Sequence, residues 1–192
     1  MLYMSANPTH ELIEATLIGN NNILIWDIDS AQRLYWEGFF GKPLGIKKPK
    51  AEFNKPLQLS FFEAVYLVEK NQLKILDANT GGYLSKEKLI DIAKESYSDF
   101  LNEYIIYKYL RDKGYVVRPG LKFGARFAVY EHGPGIDHAP FLVHVVSKRF
   151  QLSAIDLLRA GRLATSVKKK FIIAMINEKG EPEFFGFSWF KP

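Results

Sequence analysis

The stretch "YVVRPGLKFGARFAVYEHGPGIDHAPFLVHVV", residues 115–146, decides the fold. It holds three runs rich in β-branched and aromatic residues, "YVVR" (115–118), "RFAVY" (126–130) and "FLVHVV" (141–146). "PG" and "GPG" punctuate them, the pattern of successive strands with turns between. "FLVHVV" and the later "FIIAMI" (171–176) are apolar without alternation, which points to central strands covered on both faces. Helical segments frame these strands. Upstream, "SDFLNEYIIYKYLRDKG" (98–114) opens on Ser98, a suitable N-cap, and stops at Gly114. Downstream, "SAIDLLRAGRLATSV" (153–167) carries a capping pair in Ser153 and Asp156. The chain closes with "KFIIAMI", the turn "NEKGEPE" (177–183) and "FFGFSWF" (184–190). The reading is a mixed sheet flanked by helices.

The N-terminal half has a different texture. "ATLIG" and "NILIWDI", around "NNN" (20–22), read as a hairpin. Residues 38–50, "GFFGKPLGIKKPK", hold three glycines, two prolines, four lysines and no acid, which predicts an exposed basic loop without regular structure. In "SFFEAVYLVEKNQL" (60–73), Ser60 and Glu63 stand at capping-box spacing, and Phe61, Ala64, Val65 and Val68 share one helical face. "KILD" (74–77) reads as a short strand, "TGG" (80–82) as a turn and "SKEKLIDIAKES" (85–96) as a polar helix. The expected fold class is α+β in two small domains: a mixed α/β unit over 1–96, then a mixed sheet with helices over 97–192.

Composition narrows the chemistry. With 192 residues and 47% hydrophobic content the chain can bury a real core. It has no cysteine, hence neither disulfide nor thiolate metal site, which fits a reducing interior and a cytoplasmic location. The N-terminus lacks the pattern of a signal peptide, and no apolar run is long enough to span a bilayer. The net charge of +5 mildly favours a polyanionic partner.

Among motifs, the histidines His10, His132, His138 and His144 form no HExxH or Cys/His pattern, so no metal is expected. "GPG" lacks GxGxxG spacing, "GLKFGA" lacks the ending of a P-loop, and GxSxG is absent. Five cations and no acid lie between Arg159 and Lys170. They read either as a solvated helix end, where lysines complement the dipole, or as a phosphate-facing edge. Tyr130 ends a strand, and His138 follows a Gly/Pro loop of the kind that carries catalytic side chains on a rigid frame.

These pieces resemble the archaeal tRNA-splicing endonucleases, in their crenarchaeal-type catalytic subunit. Residues 98–192 carry the likeness in "YLRDKGYVVRPGLKFGARFAVYEHGPGIDHAPFLVHVV", "GRLATSVKKKFIIAMI" and "FSWFKP", and "LQLSFFEAVYLVEK" matches the smaller N-terminal domain of the family. The resemblance implies a restriction-endonuclease-like catalytic domain and a Tyr–His–Lys triad. The tyrosine closing an "FGADF-x-VY"-like strand is Tyr130. The histidine before a "YLV" or "FLV" strand is His138. The lysine second among the basic residues after "SV" is Lys169.

The implied reaction suits those side chains. RNA brings its own nucleophile, the 2′-hydroxyl beside the scissile phosphate. A base (Tyr130), an acid (His138) and a cation (Lys169) then suffice, without metal or other cofactor. A phenol is a poor base at neutral pH, and the resemblance makes Lys169 the group expected to favour its phenolate. The implied substrate is precursor tRNA, cut at a bulge–helix–bulge. Arg162 matches the family's base-stacking arginine, Phe184 is a candidate for the other half of that clamp, and Lys42 in the basic loop is a candidate RNA contact. The implied assembly is an α2β2 heterotetramer with a structural subunit, with a homotetramer as the alternative. Two rivals predict different residues. A restriction-like DNA nuclease needs acidic metal ligands on central strands, which "FLVHVV" and "FIIAMI" lack, and a non-catalytic RNA-binding or structural subunit of the same complex predicts loss of the triad.

Overall fold

The computed structural model describes residues 12–147, 151, 153–166 and 168–187. The expected Asp156 cap, the side chain of Arg159 and the segment after Phe187 lie outside the described residues. The chain divides into two compact units, Met1–Ser96 and Tyr97–Pro192. As expected, both are α+β.

In the first unit, β1 (Ile13–Ile18) and β2 (Asn22–Ile25) form the antiparallel hairpin, with Thr16 opposite Leu24. β3 (Lys42–Pro43) and β4 (Leu57–Leu59) extend the sheet beyond β2, and β5 (Leu73–Asp77) pairs parallel to β1, giving the order β3-β4-β2-β1-β5. Three elements of this unit were not expected: β4, β3, which lies inside the stretch expected to have no regular structure, and α1 (Ile28–Gly38), which follows once β2 stops at Ile25. Asp27 caps it by accepting the Ser30 N–H at 2.9 Å, and Ala31, Leu34 and Tyr35 are buried at helical spacing.

The basic stretch differs from its expectation. Phe39, Phe40, Gly41 and Pro43 are buried, while Lys42 and the lysine-rich part beyond Pro43 are largely exposed. The cause is a carboxylate. Glu63, on the first turn of α2 (Phe61–Glu69), is buried and completes the predicted capping box: Oε2 accepts the Ser60 N–H at 2.8 Å and the Ser60 hydroxyl at 2.8 Å. Its Oε1 accepts the Gly41 N–H at 2.8 Å, tying the start of the basic stretch to the helix. Gly41 has φ +68, and a Cβ there would stand 2.6 Å from Leu57 Cγ, so both conformation and space demand glycine. α2 is also buried more widely than one face, Phe62 and Leu67 included, because it packs against both β5 and α3 (Lys86–Ser96).

The second unit starts with α4 (Phe100–Asp112), whose N-cap is Asp99 rather than Ser98, and Gly114 follows its end at φ +89. The sheet has order β10-β9-β8-β7-β6, from β6 (Val116–Pro119), β7 (Phe127–Tyr130), β8 (Phe141–Val145), β9 (Lys170–Ile176) and β10 (Pro182–Phe187). All neighbours are antiparallel except β8 and β9, which α5 (Ala154–Ser166) connects as a parallel crossover. Alternation sorts the residues onto two faces. Phe127 meets Tyr107 of α4 at 5.9 Å between ring centroids and Phe184 meets Tyr109 at 5.4 Å, which defines the α4 face. Phe171 and Ile173 pack with Leu157 of α5, which defines the other. The Arg126 guanidinium bonds to Glu103 of α4 and lies 4.7 Å from the Tyr97 ring, pinning that helix to the start of β7. No helix among the described residues is long and apolar enough to cross a membrane.

Replacing Glu63 with alanine leaves two backbone N–H groups without their charged acceptor and is expected to destabilise the first unit by about 2–4 kcal/mol. Ser60→Ala, which removes only the cap, should cost about 1 kcal/mol. Urea unfolding of the two variants checks the order.

Candidate active site

Tyr130 is the last residue of β7 and shares the α5 face with Ala128. Its ring packs with Phe123 against a cluster of Ala125, Ala128, Ala139 and Leu142. Burial pushes the phenol above the ordinary tyrosine value. The Arg118 cation works against that shift, and the Asp137 carboxylate adds to it.

Register then fixes Lys169. Val129 pairs with Phe141, and Phe141 pairs in parallel with Lys170. One step toward the same sheet end, Tyr130, Pro140 and Lys169 lie abreast on three adjacent strands, and the Pro140 carbonyl accepts the Lys170 N–H at 2.8 Å. Strand spacing puts the Tyr130 and Lys169 backbones roughly 10 Å apart. The Lys169 side chain turns to the face of Tyr130. Its Nζ donates to the Ala139 carbonyl at 2.5 Å and sits 5.3 Å from the centroid of Phe123, which packs against the same cluster as Tyr130. Desolvation, then the positive charge of Lys122, hold the amine below the usual lysine value, while Asp137 opposes them. The lysines do not belong to the last turn of α5. Lys168 sits in a left-handed turn at φ 54 after the helix, and Lys170 already begins β9.

His138 is exposed, between two anchored neighbours. Ala139 is buried, with its carbonyl bound to Lys169. Asp137 accepts the backbone N–H groups of Gly133 at 2.7 Å, Glu131 at 3.0 Å and His132 at 3.3 Å. Desolvation is the largest influence on that carboxyl and pulls its pKa up, but the three donors together hold it below the usual range. The loop from Tyr130 to His138 is therefore closed on its own aspartate, and the imidazole projects from a fixed support. Sequence reasoning gave Asp137 no role. The signal it overlooked is an aspartate a few residues after a turn, a residue type that bonds nearby backbone.

The other candidates fall elsewhere. Arg162 lies exposed on α5, over the face that carries Tyr130. Phe184 pairs with Ala174 and stacks toward Tyr109, on the opposite α4 face, so the sheet separates it from Arg162. Lys42 is exposed in β3 of the first unit, opposite Gln58. The Arg118 cation, from the neighbouring strand β6, opposes the rise in the Tyr130 pKa.

A phenol, an imidazole and an amine therefore belong to one end of the mixed sheet, at the C-terminal end of β7 and just before β8 and β9. Residues 100–184 match the model for the tRNA intron endonuclease catalytic C-terminal domain, and residues 13–90 match that for the tRNA intron endonuclease N-terminal domain. Relatives named tRNA-splicing endonuclease include one from Pyrobaculum islandicum, 46% identical over 88% of this chain and 94% of its own length. Another, from Hyperthermus butylicus, is 42% identical over 94% of this chain and all of its own length, and one from Saccharolobus solfataricus is 39% identical with the same coverage. The chain belongs to the tRNA intron endonuclease family.

Asp137→Ala should speed hydrogen exchange at the amides of Glu131, His132 and Gly133 by roughly tenfold to hundredfold, the worth of a hydrogen bond to a charged acceptor. Because the folded carboxyl is more acidic than the unfolded one, this hold is complete above about pH 4 and is lost as pH falls through the lowered value. Tyr130 behaves oppositely. Its phenol should titrate above about 10, read as the absorbance difference between the wild type and Tyr130→Phe.

Proposed function

We propose that this chain is a catalytic subunit of a tRNA-splicing endonuclease that cuts precursor tRNA at the bulge–helix–bulge of its exon–intron junctions, with residues 97–192 as the catalytic domain. The observation that supports this reading is that Tyr130 and Phe123 pack against one cluster while the Lys169 amine sits over the Phe123 ring, with His138 exposed on the anchored loop.

In the proposed reaction Tyr130 takes the proton of the 2′-hydroxyl, whose oxygen attacks the adjacent phosphorus. Lys169 faces the negative charge that gathers on the phosphorane, and His138 protonates the departing 5′-oxygen. The products are a 2′,3′-cyclic phosphate and a 5′-hydroxyl. The raised Tyr130 pKa means that the free protein stores the base as a neutral phenol; the Arg118 cation opposes that shift, whereas an arriving phosphate, like Asp137, would add to it. Arg162, exposed on the same face, suits stacking on a bulged base, and Lys42 suits a backbone contact from the first unit. Phe184, on the opposite face, is not carried forward as a clamp.

The proposed assembly is an α2β2 tetramer in the cytoplasm, and β10 supports it. This edge strand exposes Phe185 and Phe187, each close to half accessible, as a strand awaiting a partner would. A homotetramer is the alternative.

Purified protein incubated with an end-labelled bulge–helix–bulge RNA in EDTA tests both chemistry and assembly. Cutting at both bulges with cyclic-phosphate ends is expected. Tyr130→Phe, His138→Ala and Lys169→Ala should each slow single-turnover cleavage by roughly 10²–10⁴-fold. Cleavage that returns only with magnesium would exclude this mechanism, and cleavage that requires an added structural subunit would select the heterotetramer.

A further inference from the structure

The turn between β6 and β7 carries a cation that the proposed triad does not use. Residues Leu121–Phe123 form a single 3-10 turn, held at both ends. Gly120 donates to the Arg126 carbonyl at 3.0 Å, Phe123 donates back to the Gly120 carbonyl at 2.8 Å, and Arg126 donates to Val143 of β8 at 3.0 Å. Gly120 packs so closely that a Cβ would stand 2.7 Å from the backbone carbon of Phe127. The turn therefore keeps one position relative to the strand that carries Tyr130.

From this turn the exposed Lys122 extends its amine to 4.6 Å from the Phe123 centroid. The Lys169 amine lies 5.3 Å from the same ring. Each gains from the ring's quadrupole, yet the two like charges repel each other, and the lowered pKa of Lys169 registers that repulsion after burial. Among the described residues no carboxylate pairs with Lys122 to offset it. A polyanion lying across the ring would relieve the repulsion, since each of its phosphates can face one amine.

We propose that Lys122 is a further RNA-binding residue, which contacts a backbone phosphate next to the one Lys169 faces, with Phe123 as the spacer that sets the distance between the two amines. The inference rests on the reading of this sheet end as the place where RNA is bound. Lys122 acts as a point charge, so its contact carries no sequence information and adds to affinity and register.

The test uses the protein in its active assembly and a bulge–helix–bulge RNA with 2′-deoxy residues at the cleavage positions, which binds without being cut. Binding is measured over a series of salt concentrations for wild type, Lys122→Ala and Lys122→Arg. Lys122→Ala should weaken binding roughly tenfold to hundredfold. It should also reduce the slope of log affinity against log salt by about 0.7–0.9, the signature of one lost phosphate. Lys122→Arg should keep the wild-type slope. An unchanged slope in Lys122→Ala overturns the proposal, and so does a loss confined to the cleavage rate of all-ribose RNA at saturating protein. Wild-type protein that binds with a slope dependent on Lys122 but never cuts all-ribose RNA would leave the contact standing and remove the proposed chemistry. Failure of the wild type to bind would remove both.

Discussion

The site depends on one hydrogen bond, from the Lys170 N–H to the Pro140 carbonyl. It starts the parallel pairing of β8 with β9, and parallel strands require a crossover. The crossover here is α5, so the same constraint places that helix over the face that holds Tyr130. Shifting the register of β9 by one residue would carry Lys169 to the α4 face, away from Phe123 and the Ala139 carbonyl. Tyr130 reaches the same point from the other side, because the β7–β8 register sets it level with Pro140.

Electrostatics at this sheet end is a balance around Asp137. Its carboxylate closes the 131–137 loop through three backbone donors, and its charge also reaches Tyr130 and Lys169. The effects on the two have opposite consequences: the charge favours the protonated phenol and the protonated amine alike, which suits Lys169 as a cation but opposes Tyr130 as a base. Arg118, Lys122 and Lys169 supply the positive side of the balance. A negatively charged substrate would shift it again on arrival, and in the free protein the phenol stays neutral.

The first unit repeats the same economy on a different task. A single buried carboxylate, Glu63, caps α2 and tethers Gly41, so that the lysine-rich stretch leaves the sheet from a fixed root. Both units therefore support an exposed loop with an acidic side chain bonded to backbone N–H groups. In such a pair the loop can vary in sequence while its support stays rigid.

Much of this was legible in the residues. Apolar runs, Gly/Pro punctuation and the Ser60–Glu63 spacing located the hairpin, α2 and the five strands of the second unit, because burial of an alternating or continuous apolar run is a local property of the chain. Tyr130, His138 and Lys169 were singled out by motif resemblance, and sequence alone also showed that this chain has no thiolate chemistry. It passed over α1, whose Asp27 cap follows closely on a strand, and β4, and it took residues 38–50 as an exposed loop although 39–41 and 43 are buried and Lys42–Pro43 form β3. Only the tertiary structure decided which side chains share a face. It set Phe184 apart from Arg162, made Arg118 a cation acting on Tyr130, and brought Lys122 and Lys169 to one aromatic ring. The reason is that face and neighbour are set by strand register and by helix placement across the sheet, which join residues far apart in the chain and leave no trace in local pattern.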